Sequence, residues 1–167
     1  IDPRLEALPP EVRSGGAAAA ERGLAAFGCE VIALVRGEAA CVKVQVAFFE
    51  AHGLAGLRAY VAILAEARRR GVPVIGDVKR GDIGSTAEAY ASGHLRPGSD
   101  LEVDAITVNP YLGADALEPF VAAAQLVSAM DGFYAGSVTP AGEEGVSTAA
   151  VAAVNARLRR ISRLLAN

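Results

Sequence analysis

The feature that most restricts the fold of this chain is a repeated alternation of short β-branched segments with longer amphipathic ones. "CVKVQVAFF" (41–49) predicts a strand buried on both faces, and "LAGLRAYVAILAEARRRG" (54–71) predicts a helix with a cationic last turn and Gly71 as its stop. A second strand, "VPVIGDVK" (72–79), follows at once. This order is typical of a parallel sheet with right-handed crossovers, so we expect an α/β protein.

The same alternation continues on both sides of this unit. Residues 17–38 predict an earlier helix, residues 86–93 a short helix capped by Ser85 and Thr86, and "VDAITVN" (103–109) a further strand, after which Gly113 opens a helix over 114–130. The side chains expected to face inward are Leu24, Phe27, Val31 and Leu34 on the first helix and Leu57, Tyr60, Val61 and Leu64 on the helix at 54–71.

The periodic pattern weakens after Met130. Residues 131–138 are a candidate fifth strand, 139–147 a loop, and 148–167 a terminal amphipathic helix with an Arg-rich side. The length of 167 residues suits one domain, which we predict to span 1–167.

Composition excludes several classes of partner. The net charge is −3 with no basic stripe, so neither nucleic acid nor a membrane surface is an expected partner. Apolar stretches are interrupted well before the roughly 20 residues of a membrane span, and the first residues have no signal-peptide pattern, so we predict a cytoplasmic protein. Cys29 and Cys41 lack paired spacing and are predicted to be buried small hydrophobes. His52 and His94 have no suitably spaced partner, so both are expected on the surface or hydrogen-bonded, and no metal site is predicted.

Charged residues are concentrated where two predicted strands end. Asp77 and Lys79 are two residues apart and should project to the same side, and Lys43 has a comparable place in the preceding strand. A lysine among valines requires an anion beside it, and Asp77 is the obvious one. Because α/β sheets bind ligands at the carboxyl ends of their strands, these charges and Asp82 indicate a catalytic site rather than a structural ion-pair network. Arg80 should point to the other side, as a charge at the surface or behind the site.

Three segments together resemble one known family. "DVKRGDIGSTAEAYA" (77–91) resembles the Asp-x-Lys-x-x-Asp-Ile motif of the orotidine 5′-monophosphate decarboxylases, in the bacterial form D-x-K-R-G-D-I. "VKVQVAFFEAHG" (42–53) and "DAITVNPYLGADALEPF" (104–120) extend the likeness in consistent order. The opening "IDP" is similar to the end of the family's first strand, whose beginning we expect to precede this sequence. The resemblance covers about residues 1–122 and leaves 123–167, mostly helical, unmatched.

The resemblance implies a TIM (β/α)8 barrel, of which this chain contains four to five recognisable βα units and so only a part. It also implies decarboxylation of orotidine 5′-monophosphate to uridine 5′-monophosphate in de novo pyrimidine biosynthesis, with a small nucleotide as substrate and neither metal nor organic cofactor. The family's loop over the pyrimidine and its late phosphate-binding arginine are not found in the sequence.

The resemblance assigns roles to individual residues. Lys79 would protonate C6 of the pyrimidine, Asp77 would lie near the substrate carboxylate, and Lys43 would connect Asp77 to the ribose hydroxyls. Asp82 would reach the site of a partner subunit, which implies a homodimer with shared sites. The substrate-binding residues implied are Asp2, Ile83, Thr86 and Asn109.

The sequence is also compatible with two alternative functions. Sugar-phosphate lyases and decarboxylases of the same superfamily keep the Asp-x-Lys-x-x-Asp motif but use magnesium. A non-catalytic fragment or assembly module would retain the charges without a grip on phosphate.

Overall fold

A computed structural model describes residues 1–130 of the chain. The elements, in chain order, are a short 3-10 helix Leu5–Ala7, α1 Pro10–Ser14, α2 Gly16–Val35, β1 Val42–Gln45, α3 Ala47–Glu50, α4 Gly53–Arg70, β2 Val74–Arg80, α5 Gly84–Leu95, β3 Ala105–Val108 and α6 Glu118–Met130. The elements predicted at 131–138, 139–147 and 148–167 lie outside the described residues.

The three strands form one parallel sheet in the order β1-β2-β3. Val42 lies opposite Val74, and Ile75 lies opposite Ala105. Ile1 extends the sheet beyond β1, because its amine donates to the Lys43 carbonyl and its own carbonyl accepts from the Gln45 amide at 3.2 Å. Such bonds belong to a parallel ladder, so the first residues lie along the edge of β1 as the end of a strand would.

The sheet has one apolar face and one polar face. The apolar face packs on the helices in a core that includes Val44, Val78 and Ile106 from the strands and Leu24, Tyr60, Ile63, Leu95 and Phe120 from the helices. The prediction of a first strand buried on both faces is therefore wrong, since β1 buries Val42 and Val44 but leaves Lys43 exposed. This strand is also shorter than predicted, because Val46 has helical backbone angles (φ −62°, ψ −31°) and leads into α3.

The inward faces of the two long helices differ in part from the prediction. On α2, Leu24 is fully buried, but Phe27 and Leu34 are exposed, the latter to 75%. The buried residues from Ala20 to Ile32 are four residues apart and include Gly28. A Cβ at position 28 would overlap the Ile63 side chain of α4, so the two helices pack closely at this glycine. On α4, Tyr60 and Leu64 are buried as predicted, and Ile63 is buried as well. Three further residues predicted to face inward are only half-buried: Val31 on α2, and Leu57 and Val61 on α4.

The observed ends of the helices agree only in part with those predicted from the sequence. Gly71 ends α4 with φ +68°, a conformation that glycine adopts readily, as predicted. The expected capping of α5 by Ser85 and Thr86 is wrong, because the helix begins at Gly84 and has no side-chain cap. Helix α6 begins at Glu118, later than predicted. None of the helices within residues 1–130 is long and apolar enough to cross a membrane.

Candidate active site

The site is built around Asp77, whose side chain is only 9% exposed on the polar face of β2. Its Oδ2 accepts hydrogen bonds from Lys43 Nζ at 2.8 Å and Gln45 Nε2 at 2.7 Å. Its Oδ1 accepts from Lys79 Nζ at 2.9 Å and Thr107 Oγ1 at 2.8 Å. An ionised carboxylate has about four acceptor positions, so the surrounding side chains use the full capacity of this one.

The charge state of Asp77 follows from these donors. Burial by itself raises the pKa of this carboxyl, but the hydrogen bonds from Lys43, Lys79 and Thr107 outweigh that effect and lower the pKa to about 2. Asp77 is therefore ionised at neutral pH.

The two lysines flank Asp77 and leave their side chains open to a ligand. The side chain of Lys43 is 46% exposed and that of Lys79 is 63% exposed. Asp2 lies next along the row, with its Oδ1 3.9 Å from Lys43 Nζ. Asp2, Lys43, Asp77 and Lys79 thus alternate in sign along this face of the sheet. The charge pattern predicted Lys43, Asp77 and Lys79 together with Asp82, whereas the fourth charge of the observed row is Asp2, which only the resemblance assigned to the site.

A backbone irregularity sets the position of Lys79. Between Gly76 and Arg80 of β2, the register with β3 shifts, so that three residues of β2 lie opposite Thr107 alone. Lys79 has φ +46°, and it is the only residue other than glycine with positive φ within residues 1–130. The contact of Lys79 with Asp77 was predicted from the alternation of a regular strand, but the structure makes it through this bulge.

The other four residues that the resemblance assigned to the site lie outside this row. The Asp82 carboxylate accepts a hydrogen bond from the Ile83 amide at 2.8 Å, and Ile83 is 58% exposed. Thr86 is exposed in the first turn of α5. Asn109 accepts from the Tyr111 amide at 3.0 Å. In the part of the chain that the structure describes, none of the four is hydrogen-bonded to Asp77 or to either lysine.

Arg80 points away from Lys79, as predicted, but it is enclosed rather than at the surface. Its guanidinium lies 2.8 Å from Glu50 of α3 and stacks 5.3 Å from the ring centre of Tyr90 on α5. Nearby, His94 is buried rather than on the surface, and its imidazole interacts with the Leu101 backbone through a hydrogen bond, which is the second of the two predicted possibilities. Burial and the charge of Arg80 lower the pKa of His94, so this ring is neutral.

The remaining candidates for metal or redox chemistry are dispersed. His52 is half-buried, and Cys29 and Cys41 are free and only half-buried, rather than buried as predicted. Residues 1–130 contain no group of three or more His, Cys, Asp or Glu side chains able to hold a metal ion.

Sequence reasoning missed Gln45 and Thr107. Gln45 is two residues beyond Lys43 and directly opposite Asp77 in the register, so strand alternation could have indicated it. The part played by Thr107 depends on the register shift between β2 and β3, for which the sequence carries no local signal.

Comparison with known proteins decides the family. A family model described as orotidine 5′-phosphate decarboxylase / HUMPS matches residues 26–154. The chain belongs to this family. The match extends past residue 122, where the motif resemblance ends.

Relatives in the family agree with this assignment. The chain is 46% identical over 129 residues to the orotidine 5′-phosphate decarboxylase of Rhodopirellula baltica, an alignment that covers 72% of this chain and 43% of the relative. It is 40% identical over 121 residues to that of Clostridium perfringens, covering 72% and 41%. The chain thus spans about two fifths of the length of these curated relatives.

A solved structure gives the same result. The Leishmania donovani OMP decarboxylase superposes with a TM-score of 0.52 at 38% identity, covering 66% of this chain and 41% of that one. The parallel sheet and its helices are therefore part of a TIM (β/α)8 barrel, and the prediction of fold class is confirmed.

Proposed function

We propose that this chain decarboxylates orotidine 5′-monophosphate to uridine 5′-monophosphate, a step of de novo pyrimidine biosynthesis in the cytoplasm. The observation that carries the proposal is the buried, ionised Asp77 held between the exposed amines of Lys43 and Lys79. Membership of a family whose relatives bear the name orotidine 5′-phosphate decarboxylase supports it.

The proposed reaction uses Lys79 as its acid. The bond between C6 and the substrate carboxylate breaks, carbon dioxide leaves, and the electron pair stays on C6. The ammonium of Lys79 stabilises this developing carbanion and gives it a proton, then recovers one from water. The exposed side chain of Lys79 leaves room for a pyrimidine to approach its Nζ atom.

Asp77 and Lys43 have complementary parts in the proposal. Asp77 faces the leaving carboxylate, and because its pKa is about 2 the two anions repel until carbon dioxide departs. Lys43 neutralises Asp77 from the other side and, with Asp2, is placed to bond the ribose hydroxyls.

The remaining substrate contacts are assigned to residues that follow the strands. Ile83 and Thr86 lie just beyond β2, and Asn109 directly follows β3, at the end of the sheet where α/β proteins bind ligands. All three are exposed in the structure.

The proposal includes a homodimer in which Asp82 contributes to the partner's site. Asp82 bonds only a neighbouring backbone amide within residues 1–130, and the exposed apolar side chains of Ile83, Tyr111 and Leu112 lie close to the strand ends. If sites are shared, mixing Lys79→Ala and Asp82→Ala chains restores turnover above that of either variant alone. Equal turnover before and after mixing contradicts a shared site.

Turnover by the full 167-residue chain tests the proposal. We expect conversion of orotidine 5′-monophosphate to uridine 5′-monophosphate, followed chromatographically, to continue after exhaustive chelation. Loss of turnover on chelation, with recovery on adding magnesium, favours the magnesium-dependent lyases of the superfamily instead.

Binding of the product separates the enzyme from a non-catalytic fragment. Calorimetric titration with uridine 5′-monophosphate should give saturable binding that is competitive with the substrate. A chain that binds none of this nucleotide at millimolar concentration is not the proposed enzyme.

A further inference from the structure

We propose that Thr107 is a positioning residue, whose hydroxyl holds Lys79 and Asp77 in the arrangement that the reaction needs. Only the expected effect of Thr107 on catalysis rests on the proposed function, whereas its effect on the position of Lys79 does not. Thr107 lies on β3, opposite the bulge of β2, and it contacts both partners of the charged pair.

The direction of both hydrogen bonds follows from the chemistry of the groups. An ionised carboxylate can only accept, so the hydroxyl proton of Thr107 must go to Asp77 Oδ1, 2.8 Å away. A backbone N–H can only donate, so the Lys79 amide gives its proton to the Thr107 oxygen at 2.9 Å. One hydroxyl therefore serves as donor to the side chain of Asp77 and as acceptor for the backbone of Lys79.

This pair of bonds compensates for the irregular ladder. The bulge removes the Lys79 amide from the regular pattern of strand pairing, and the positive φ of Lys79 is a conformation that residues with a Cβ adopt rarely. If the Thr107 hydroxyl is removed, the Lys79 amide loses its acceptor, and the bulge prevents the regular ladder from supplying another. The backbone of Lys79 can then relax toward extended angles. The ammonium then no longer has a fixed direction relative to Asp77.

Amide hydrogen exchange in the ligand-free 167-residue chain tests the positioning directly. We expect the Lys79 amide of the wild-type chain to be protected, Thr107→Val to exchange it about five- to tenfold faster, and Thr107→Ser to stay close to wild type. Ser14→Ala is the matched control, because it removes a hydroxyl that bonds the Pro10 carbonyl on α1. An unprotected Lys79 amide in the wild-type chain overturns the proposal without any variant, and so does equal protection in Thr107→Val.

Kinetics with orotidine 5′-monophosphate test the consequence. Thr107→Val should lower kcat by about ten- to a hundredfold with little change in KM, and Thr107→Ser should restore most of it. A kcat unchanged in Thr107→Val contradicts the positioning role. If the wild-type chain shows no turnover, the proposed function fails, while the exchange measurement still decides whether Thr107 holds Lys79.

Discussion

Replacing Asp77 with asparagine removes one negative charge from the centre of the site while keeping the shape of the side chain. The carboxylate accepts four hydrogen bonds, two of them from lysines. An amide has one acceptor oxygen and places an NH2 group against donors. We therefore expect Asp77→Asn to lower the free energy of unfolding at neutral pH.

The magnitude follows from the pKa of Asp77, which is about 2 in the folded chain against an ordinary value of 3.8. By linkage, this difference corresponds to about 2 kcal/mol of stability. Solvent screens both lysines, whose side chains are 46% and 63% exposed, so the expected loss is about 1 to 2 kcal/mol. Because the folded pKa is depressed, the contribution is present above pH 3.8 and is lost as the pH falls through about 2.

Urea unfolding followed by circular dichroism measures this effect. The stability difference between wild type and Asp77→Asn should be full at pH about 7 and should shrink steadily below pH about 4. Asp100→Asn, at an exposed position, is the matched control and should change stability little at any pH. A difference that does not vary with pH, or no difference at pH about 7, would refute this account of the electrostatics.

Two further predictions concern the scaffold. Arg80→Met breaks the ion pair with Glu50 and should lower the free energy of unfolding by about 1 to 2 kcal/mol, and Arg80→Lys should have an intermediate effect. Equal stability of the wild type and both variants in urea contradicts the enclosed position of the guanidinium. Gly56→Ala places a Cβ against the backbone carbonyl of Phe49 and should lower the free energy of unfolding by about 1 to 3 kcal/mol. Gly93→Ala, on helix α5 with open space around it, should raise that free energy by up to about 1 kcal/mol. The opposite order of stability in thermal melts contradicts the packing of α3 on α4.

The charged row could be predicted because it depends on local rules. Residues two apart on a strand share a side, and parallel strands end at the same edge of a sheet, so Lys43, Asp77 and Lys79 were expected together. For Lys79 the rule gave the right partner by the wrong route, because the bulge of β2 rather than regular alternation brings it to Asp77. The role of Thr107 could not be predicted in this way, because its contacts depend on the register shift between β2 and β3. Thr107 and Asp77 are 30 residues apart in the sequence, so no local pattern connects them.

The helix faces show a similar limit. In an alanine-rich helix such as α2, spacings of three and four residues define several possible stripes. The inward stripe is set by Gly28, where Ile63 of α4 packs closely, so Phe27 and Leu34 turn outward. Such a choice depends on the partner helix rather than on the periodicity of α2 itself.

The rate of uridine 5′-monophosphate formation by wild type and Lys79→Ala tests the central claim most directly. We predict turnover by the wild-type chain, a fall of at least about a hundredfold in Lys79→Ala, and little change in Arg58→Ala, which removes an exposed cation on α4. Equal rates for Lys79→Ala and wild type would contradict the assignment of Lys79 as the acid that protonates C6.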